Sequence, residues 1–142
     1  MSAAPLDHSK LTTLVGYVAS RAALVLRKDF ERSLGPLGLK VLDYSLLVLV
    51  ASNAEVNQKQ LGEALDISAP NMAITIDRLV ERGWVERVRS TQDRRAQIVH
   101  LTEKGHALVQ RAEKIARTME RDALAQLSPA ERALLIELLL KV

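Results

Sequence analysis

From Ser9 to about Ser33, the apolar side chains of Leu11, Leu14, Val15, Val18, Ala22, Val25, Leu26 and Phe30 recur at intervals of three and four, and Gly35-Pro36 follows them. That spacing lays one apolar stripe along a helix, and the Gly-Pro pair predicts its end. After Gly38 the stretch "LKVLDYSLLVLVAS" is apolar nearly all round. A helix of that kind must be covered on most sides, so the centre of the domain is expected there. Asn57 with Gln60 three residues later has the form of a capping box opening a short helix, "QKQLGEALD". Ser68 is then placed to cap "APNMAITIDRLVERG", in which Met72, Ile76, Leu79 and Val80 share a face and Gly83 stands where helices favour a stop. Two short helices joined by a tight turn make a helix-turn-helix.

Beyond Gly83 the period changes. "WVERVR" and "AQIVHL" are rich in β-branched residues and flank the polar "STQDRR", which predicts a two-stranded ribbon with a charged tip. Thr102 can cap a long helix in which Leu108, Ala112, Ile115, Met119 and Ala123 step by three and four, close to a coiled-coil seam. The final segment "SPAERALLIELLLKV" opens with Ser128 at the cap, Pro129 at the first helical position and Glu131 at the third. Its Leu134, Leu135, Leu138, Leu139 and Leu140 exceed what one short helix buries within its own chain, so a partner surface is expected.

Composition narrows the function. A chain of 142 residues that is 48% hydrophobic and 26% charged suits one domain with a sizeable core, and an aromatic content of 3% makes that core aliphatic. Cysteine is absent, which removes disulfides, thiolate nucleophiles, cysteine zinc sites and thiol redox sensing together. There is no glycine-rich nucleotide motif, and His8, His100 and His106 lack zinc-ligand spacing, so no enzyme activity, cofactor or metal is expected. The chain has no uncharged apolar run of about 18 residues, and "MSAAPLDHSK" lacks the basic-then-apolar order of a secretory signal; a cytoplasmic protein is expected. Net charge is +3, and its placement is telling. Arg78, Arg82, Arg87, Arg89, Arg94 and Arg95 stand against Glu81, Glu86 and Asp93, so six minus three in this one segment equals the whole surplus.

A helix-turn-helix followed by a basic hairpin is a winged helix, and both parts have a physical reason to meet DNA. The second helix fits the major groove, and a narrow arginine-bearing loop reaches the adjacent minor groove or the phosphates. The stretch "DRLVERGWVERVRSTQDRRAQIVHLTEKG" resembles the signature of the MarR family, the multiple-antibiotic-resistance regulators, in which D-x-R on the wing precedes a strand and Leu-Thr. Asp93, Arg95, Leu101 and Thr102 match it in place, and the resemblance extends over essentially the whole chain. It implies a mainly α fold with a small β-hairpin wing: a winged helix-turn-helix at about residues 38–101, between dimerisation helices at about 9–34 and 103–142, in one domain. It further implies a cytoplasmic homodimeric transcription factor, usually a repressor on pseudo-palindromic double-stranded DNA, often released by a small aromatic or phenolic effector.

Carried onto this sequence, the resemblance makes Arg95 the wing arginine of the minor groove, Asp93 the acid that orients it and Arg94 a second basic contact, with Arg89 at the base of the wing. Asp93 reads equally as a turn former that accepts backbone hydrogen bonds. On the second helix, Ser68, Pro70, Asn71, Ile74, Thr75 and Arg78 are the expected DNA-facing positions. Asn71 can pair with adenine and Ile74 can touch a thymine methyl; Asn71 also reads as a helix-start residue, and Arg78 as a solvated or ion-paired side chain. The chain departs from many family members at Asn71-Met72-Ala73-Ile74, where they carry polar and basic residues, so Asn71, apolar contact and DNA shape are expected to carry more of the specificity. For an effector carboxylate or phenolate the candidates are Tyr17 and Arg21, one turn apart, with Tyr44. The competing class is a winged helix that serves only as a protein-interaction module without specific DNA binding, against which the Arg94-Arg95 tip speaks.

Overall fold

The computed structural model describes residues 4–142; the first three residues of the segment read against a secretory signal lie outside it. The elements run α1 (Val15–Leu34), α2 (Val41–Ser52), α3 (Gln58–Leu65), α4 (Ala69–Glu81), β1 (Val85–Arg89), β2 (Gln97–Leu101), α5 (Glu103–Met119) and α6 (Pro129–Leu139), with 3-10 turns at Leu11–Thr13 and Gly35–Leu37. No single helix among the described residues is long and apolar enough to cross a membrane.

The first helix starts later than its apolar spacing predicts. Leu14 is extended (φ −96°, ψ 118°), so the Leu11–Thr13 turn stands apart from the continuous helix that begins at Val15. At the other end of the chain the seam also closes early: α5 stops at Met119, and Ala123 falls in the turns that lead to α6. Caps elsewhere follow the sequence. Asn57 and Gln60 exchange reciprocal bonds of 2.9 Å, as do Ser128 and Glu131 at 3.2 and 2.8 Å. Ser68 occupies the N-cap position of α4 but makes no capping bond, which leaves its hydroxyl exposed.

The core sits where α2, α3 and α4 meet α5. Leu46, Leu47, Leu61, Met72, Ile76 and Leu79 are all at most 1% exposed, and Ala112 of α5 is at 0%. Their packing excludes water from the three short helices at once, which is the main source of their stability. Gly83 (φ 72°) ends α4 in a left-handed residue, with the Trp84 N–H returning to the Leu79 carbonyl at 3.0 Å and the Gly83 N–H to Val80 at 2.9 Å. Thr102 fastens the far end of the hairpin to this turn. Its hydroxyl donates to the Gly83 carbonyl at 2.6 Å and accepts the Gly105 N–H at 3.0 Å, so the residue that caps α5 also fixes where β1 begins.

β1 and β2 pair antiparallel, Val85 opposite Leu101 through Arg89 opposite Gln97. On the other side of β2, Val99 pairs with Val56, which lies between α2 and α3; the Val99 N–H reaches the Val56 carbonyl at 2.8 Å. The ribbon is thereby stitched to the helix-turn-helix.

Candidate nucleic-acid interface

The tip of the wing is built by its own polar side chains. The Ala96 N–H donates to the Asp93 carbonyl at 2.9 Å, closing a turn with Arg94 and Arg95 at its centre, and the Asp93 carboxylate accepts the Arg95 N–H at 2.9 Å. An aspartate at the first turn position commonly accepts this bond. Asp93 thus orients Arg95 through the backbone rather than through its guanidinium. Arg89, Arg94 and Arg95 are exposed and form no salt bridge among the described residues.

The remaining arginines of the basic segment are spent inside the chain. Arg78 bonds to Asp43 at 2.5 Å, Arg87 to Asp77 at 2.7 Å, and Arg82 donates to the Gly38 carbonyl at 2.8 Å while lying 4.0 Å from the Trp84 ring centroid. The six arginines of that segment therefore divide evenly. Three brace the helix-turn-helix, and three, on the wing and at its base, form no salt bridge among the described residues.

On α4, Pro70, Asn71 and Ile74 face solvent, and Ile74 is 66% exposed, an unusual position for a large apolar side chain unless it meets a partner. Two expected positions are corrected. Thr75 does not face the groove: it is 8% exposed, and its hydroxyl donates to the Asn71 carbonyl at 2.9 Å. One helical step of 100° places it at the edge of the Met72–Ile76–Leu79 stripe, so the core claims it. Arg78, expected as a groove-facing cation, is held by a carboxylate that is 0% exposed and that also accepts the Lys40 N–H at 3.0 Å. The ion-paired alternative for Arg78 is the one realised.

The effector candidates are not brought together within the chain. The Tyr17 hydroxyl lies 2.7 Å from His8 Nδ1, and Arg21 is exposed one turn further on. Tyr44 packs instead against Phe30, ring centroids 5.8 Å apart, at the junction of α1, α2 and α5. At 1.5 Å per residue, Phe30 stands about 20 Å along α1 from Tyr17. Burial, and then the Glu113 carboxylate, raises the Tyr44 phenol above its ordinary pKa, so it remains a neutral donor. His100 and His106 are exposed with rings in edge contact, and no cluster of three metal-ligating side chains occurs among the described residues.

Sequence reasoning missed Glu55, Asp43 and Asp77, the three acids on which the interface rests. The unpartnered leucine face expected from the sequence lines an apolar groove of about 670 Å³, which runs between α1 and α6 and includes Val18, Ala22, Leu26, Leu135 and Leu139.

The chain matches the MarR family over residues 37–96. It is 34% identical to the transcriptional repressor CouR in a structure bound to a 23-mer DNA duplex, with a TM-score of 0.88, covering 97% of this chain and 98% of that one. A second CouR structure, bound to p-coumaroyl-CoA, is 32% identical with a TM-score of 0.83 and 95% coverage of both chains. A protein of Thauera aromatica named for regulation of the hcr operon is 29% identical over 137 residues, 96% of this chain and 82% of that protein.

Proposed function

The chain belongs to the MarR family, and from that premise we propose that it is a repressor that binds a pseudo-palindromic operator as a homodimer and releases it on binding a small effector. It is a DNA-binding transcriptional regulator and not an enzyme. The observation that carries the repressor reading is the pairing of two free surfaces on one frame. The Asp93–Ala96 turn holds Arg94 and Arg95 with no salt-bridge partner among the described residues, and α4 with its N-cap exposes Ser68, Pro70, Asn71 and Ile74. In this reading α4 enters the major groove, with Asn71 and Ile74 on base edges, and the wing reaches the flanking minor groove or its phosphates. Selection of bound duplexes from a randomised library tests it: a two-fold-related motif with half-site centres about one helical turn apart is expected. Binding without sequence preference overturns it.

Residues about 9–34 and 103–142 form the dimerisation unit and about 38–101 the winged-helix core. Leu134, Leu135, Ile136, Leu138 and Leu139 are each 41% to 52% exposed, and α6 has no buried residue. A second copy covers that face and the α1–α6 groove. The setting proposed is the cytoplasm, where an operator is accessible.

The effector proposed is an aromatic or phenolic acid or its CoA thioester, by likeness to CouR, whose structure holds p-coumaroyl-CoA. Tyr44 lies at the junction between the dimerisation helices and the winged helix, where an occupant can alter their relative placement. Tyr17 and Arg21 belong to this proposal only as contacts for the solvent-facing end of a long ligand. By linkage, an effector that weakens DNA binding is itself weakened by DNA to the same factor. Operator affinity and thermal midpoint measured together against p-coumaroyl-CoA, benzoates and phenols test the idea. A compound that stabilises the protein and leaves operator affinity unchanged is not the effector.

A further inference from the structure

The turn of the wing does not stand on the hairpin alone. Glu55 lies on the link between α2 and α3, one residue before the Val56 that pairs with Val99. Its Oε2 accepts the Ser90 hydroxyl at 2.5 Å, and its Oε1 accepts the Thr91 N–H at 2.9 Å and the Thr91 hydroxyl at 2.5 Å. The Ser90 hydroxyl oxygen in turn accepts the N–H groups of Gln92 at 3.1 Å and Asp93 at 3.0 Å. The carboxylate of Asp93 takes the Arg95 N–H. An unbroken run of hydrogen bonds thus leads from the helix-turn-helix frame to the backbone of Arg95. Ser90 is 6% exposed although it begins an exposed loop, and its hydroxyl makes one donor and two acceptor bonds, the full capacity of the group.

We propose that Glu55 is a positioning residue for DNA binding, acting through Ser90 and Thr91 to fix where the wing arginines meet the duplex. It touches no DNA itself. A carboxylate is suited to the role because its two oxygens carry four lone-pair sites, three of which are used here by two hydroxyls and an amide, and bonds to a charged acceptor are the stronger kind. Without them the loop must be ordered at the moment of binding, at a cost in affinity. The inference rests on the reading in which Arg94 and Arg95 contact DNA.

The test uses the full chain and a duplex of about 30 base pairs selected by the wild-type protein, long enough for two half-sites. Glu55→Ala is expected to weaken binding at least about fivefold and to lower the salt slope by about one for each phosphate that is no longer neutralised. In an Arg94→Ala/Arg95→Ala background the same change is expected to have little further effect, because its route to DNA is already removed. Glu55→Gln, which keeps the shape and one carbonyl acceptor, is expected to fall between wild type and Glu55→Ala. A loss that persists in full in the double-arginine background overturns the inference, as does a lowered thermal midpoint with unchanged salt slope, which marks a merely structural role. A double-arginine variant that binds like wild type overturns the reading beneath it, and the inference with it.

Discussion

The guanidinium of Arg78 and the carboxylate of Asp43, 35 residues apart in sequence, meet at 2.5 Å with the acid fully enclosed. The pair ties the start of α2, where Asp43 also accepts the Lys40 N–H, to the outer half of α4. It fixes the helix that is to enter the groove against the core helix behind it.

Arg78→Ala is expected to cost about 3 kcal/mol of stability, because it strands a charged carboxylate in the interior. Asp43→Ala is expected to cost less through charge, since Arg78 is one-third exposed and can rehydrate, but it also removes the α2 cap. Urea unfolding at fixed protein concentration measures both. Equal stability of Arg78→Ala and wild type would contradict the assignment.

Arg95→Ala is expected to weaken operator binding by about 1 to 3 kcal/mol, with Arg94→Ala costing less. If the wing acts through phosphates, both lower affinity evenly across sequences and flatten the salt dependence. Asn71→Ala behaves differently, relaxing preference at one base pair in each half-site. Comparison of the variants on one randomised operator library separates the two kinds of contact.

The wing is expected to loosen in acid. Hydrogen bonds from Ser90, then from Thr91, hold the Glu55 carboxyl below its ordinary pKa of 4.5. A group whose folded pKa is depressed gives its full stabilisation above the unfolded value and loses it as pH falls through the folded one. The Thr91 amide is therefore expected to stay protected from exchange at pH 5 and to lose protection only below about 4.5, with Glu55→Gln showing no such step. Protection that falls between pH 7 and 5 would show that another group controls the loop.

Leu135 and Leu139 line the groove between α1 and α6 and are each about half exposed. Replacing both with Glu is expected to abolish self-association. Light scattering at micromolar concentration should then give 15.7 kDa in place of twice that mass, with operator affinity falling along with it. A monomeric wild-type chain that binds its operator specifically would refute the dimer.

The two capping boxes, the glycine stop at Gly83 and the Met72–Ile76–Leu79 stripe of α4 were legible in the sequence because each is a local pattern, complete within one or two helical turns, although Val80, expected on that face, is exposed. The wing tip was legible too, since an acid followed by two arginines between β-branched runs describes a turn. What escaped was long-range. Glu55 reaches across to Ser90, Asp43 to Arg78 and Arg87 to Asp77, and nothing in the spacing of a single chain says which acid a folded arginine will find. Thr75 was misplaced for a finer reason: it stands at the edge of a buried stripe, where one residue's rotation decides between groove and core. Tyr17 and Arg21 do not share a place with Tyr44, because much of the length of α1 separates them from Phe30, the partner of Tyr44.

The single bridge between Val56 and Val99 also bears on how the protein keeps its own company. A two-stranded ribbon has two open edges, each able to recruit a strand from another molecule. Here Val56 bridges the outer side of β2 at Val99, and among the described residues the free side of β1 has no strand partner at all. That side belongs to a strand carrying Glu86, Arg87 and Arg89, with Arg87 drawn in against Asp77. Charged side chains at three of the five positions of so short an edge disfavour their desolvation against a second wing, and the hairpin can project its arginines into solvent without becoming a seed for aggregation.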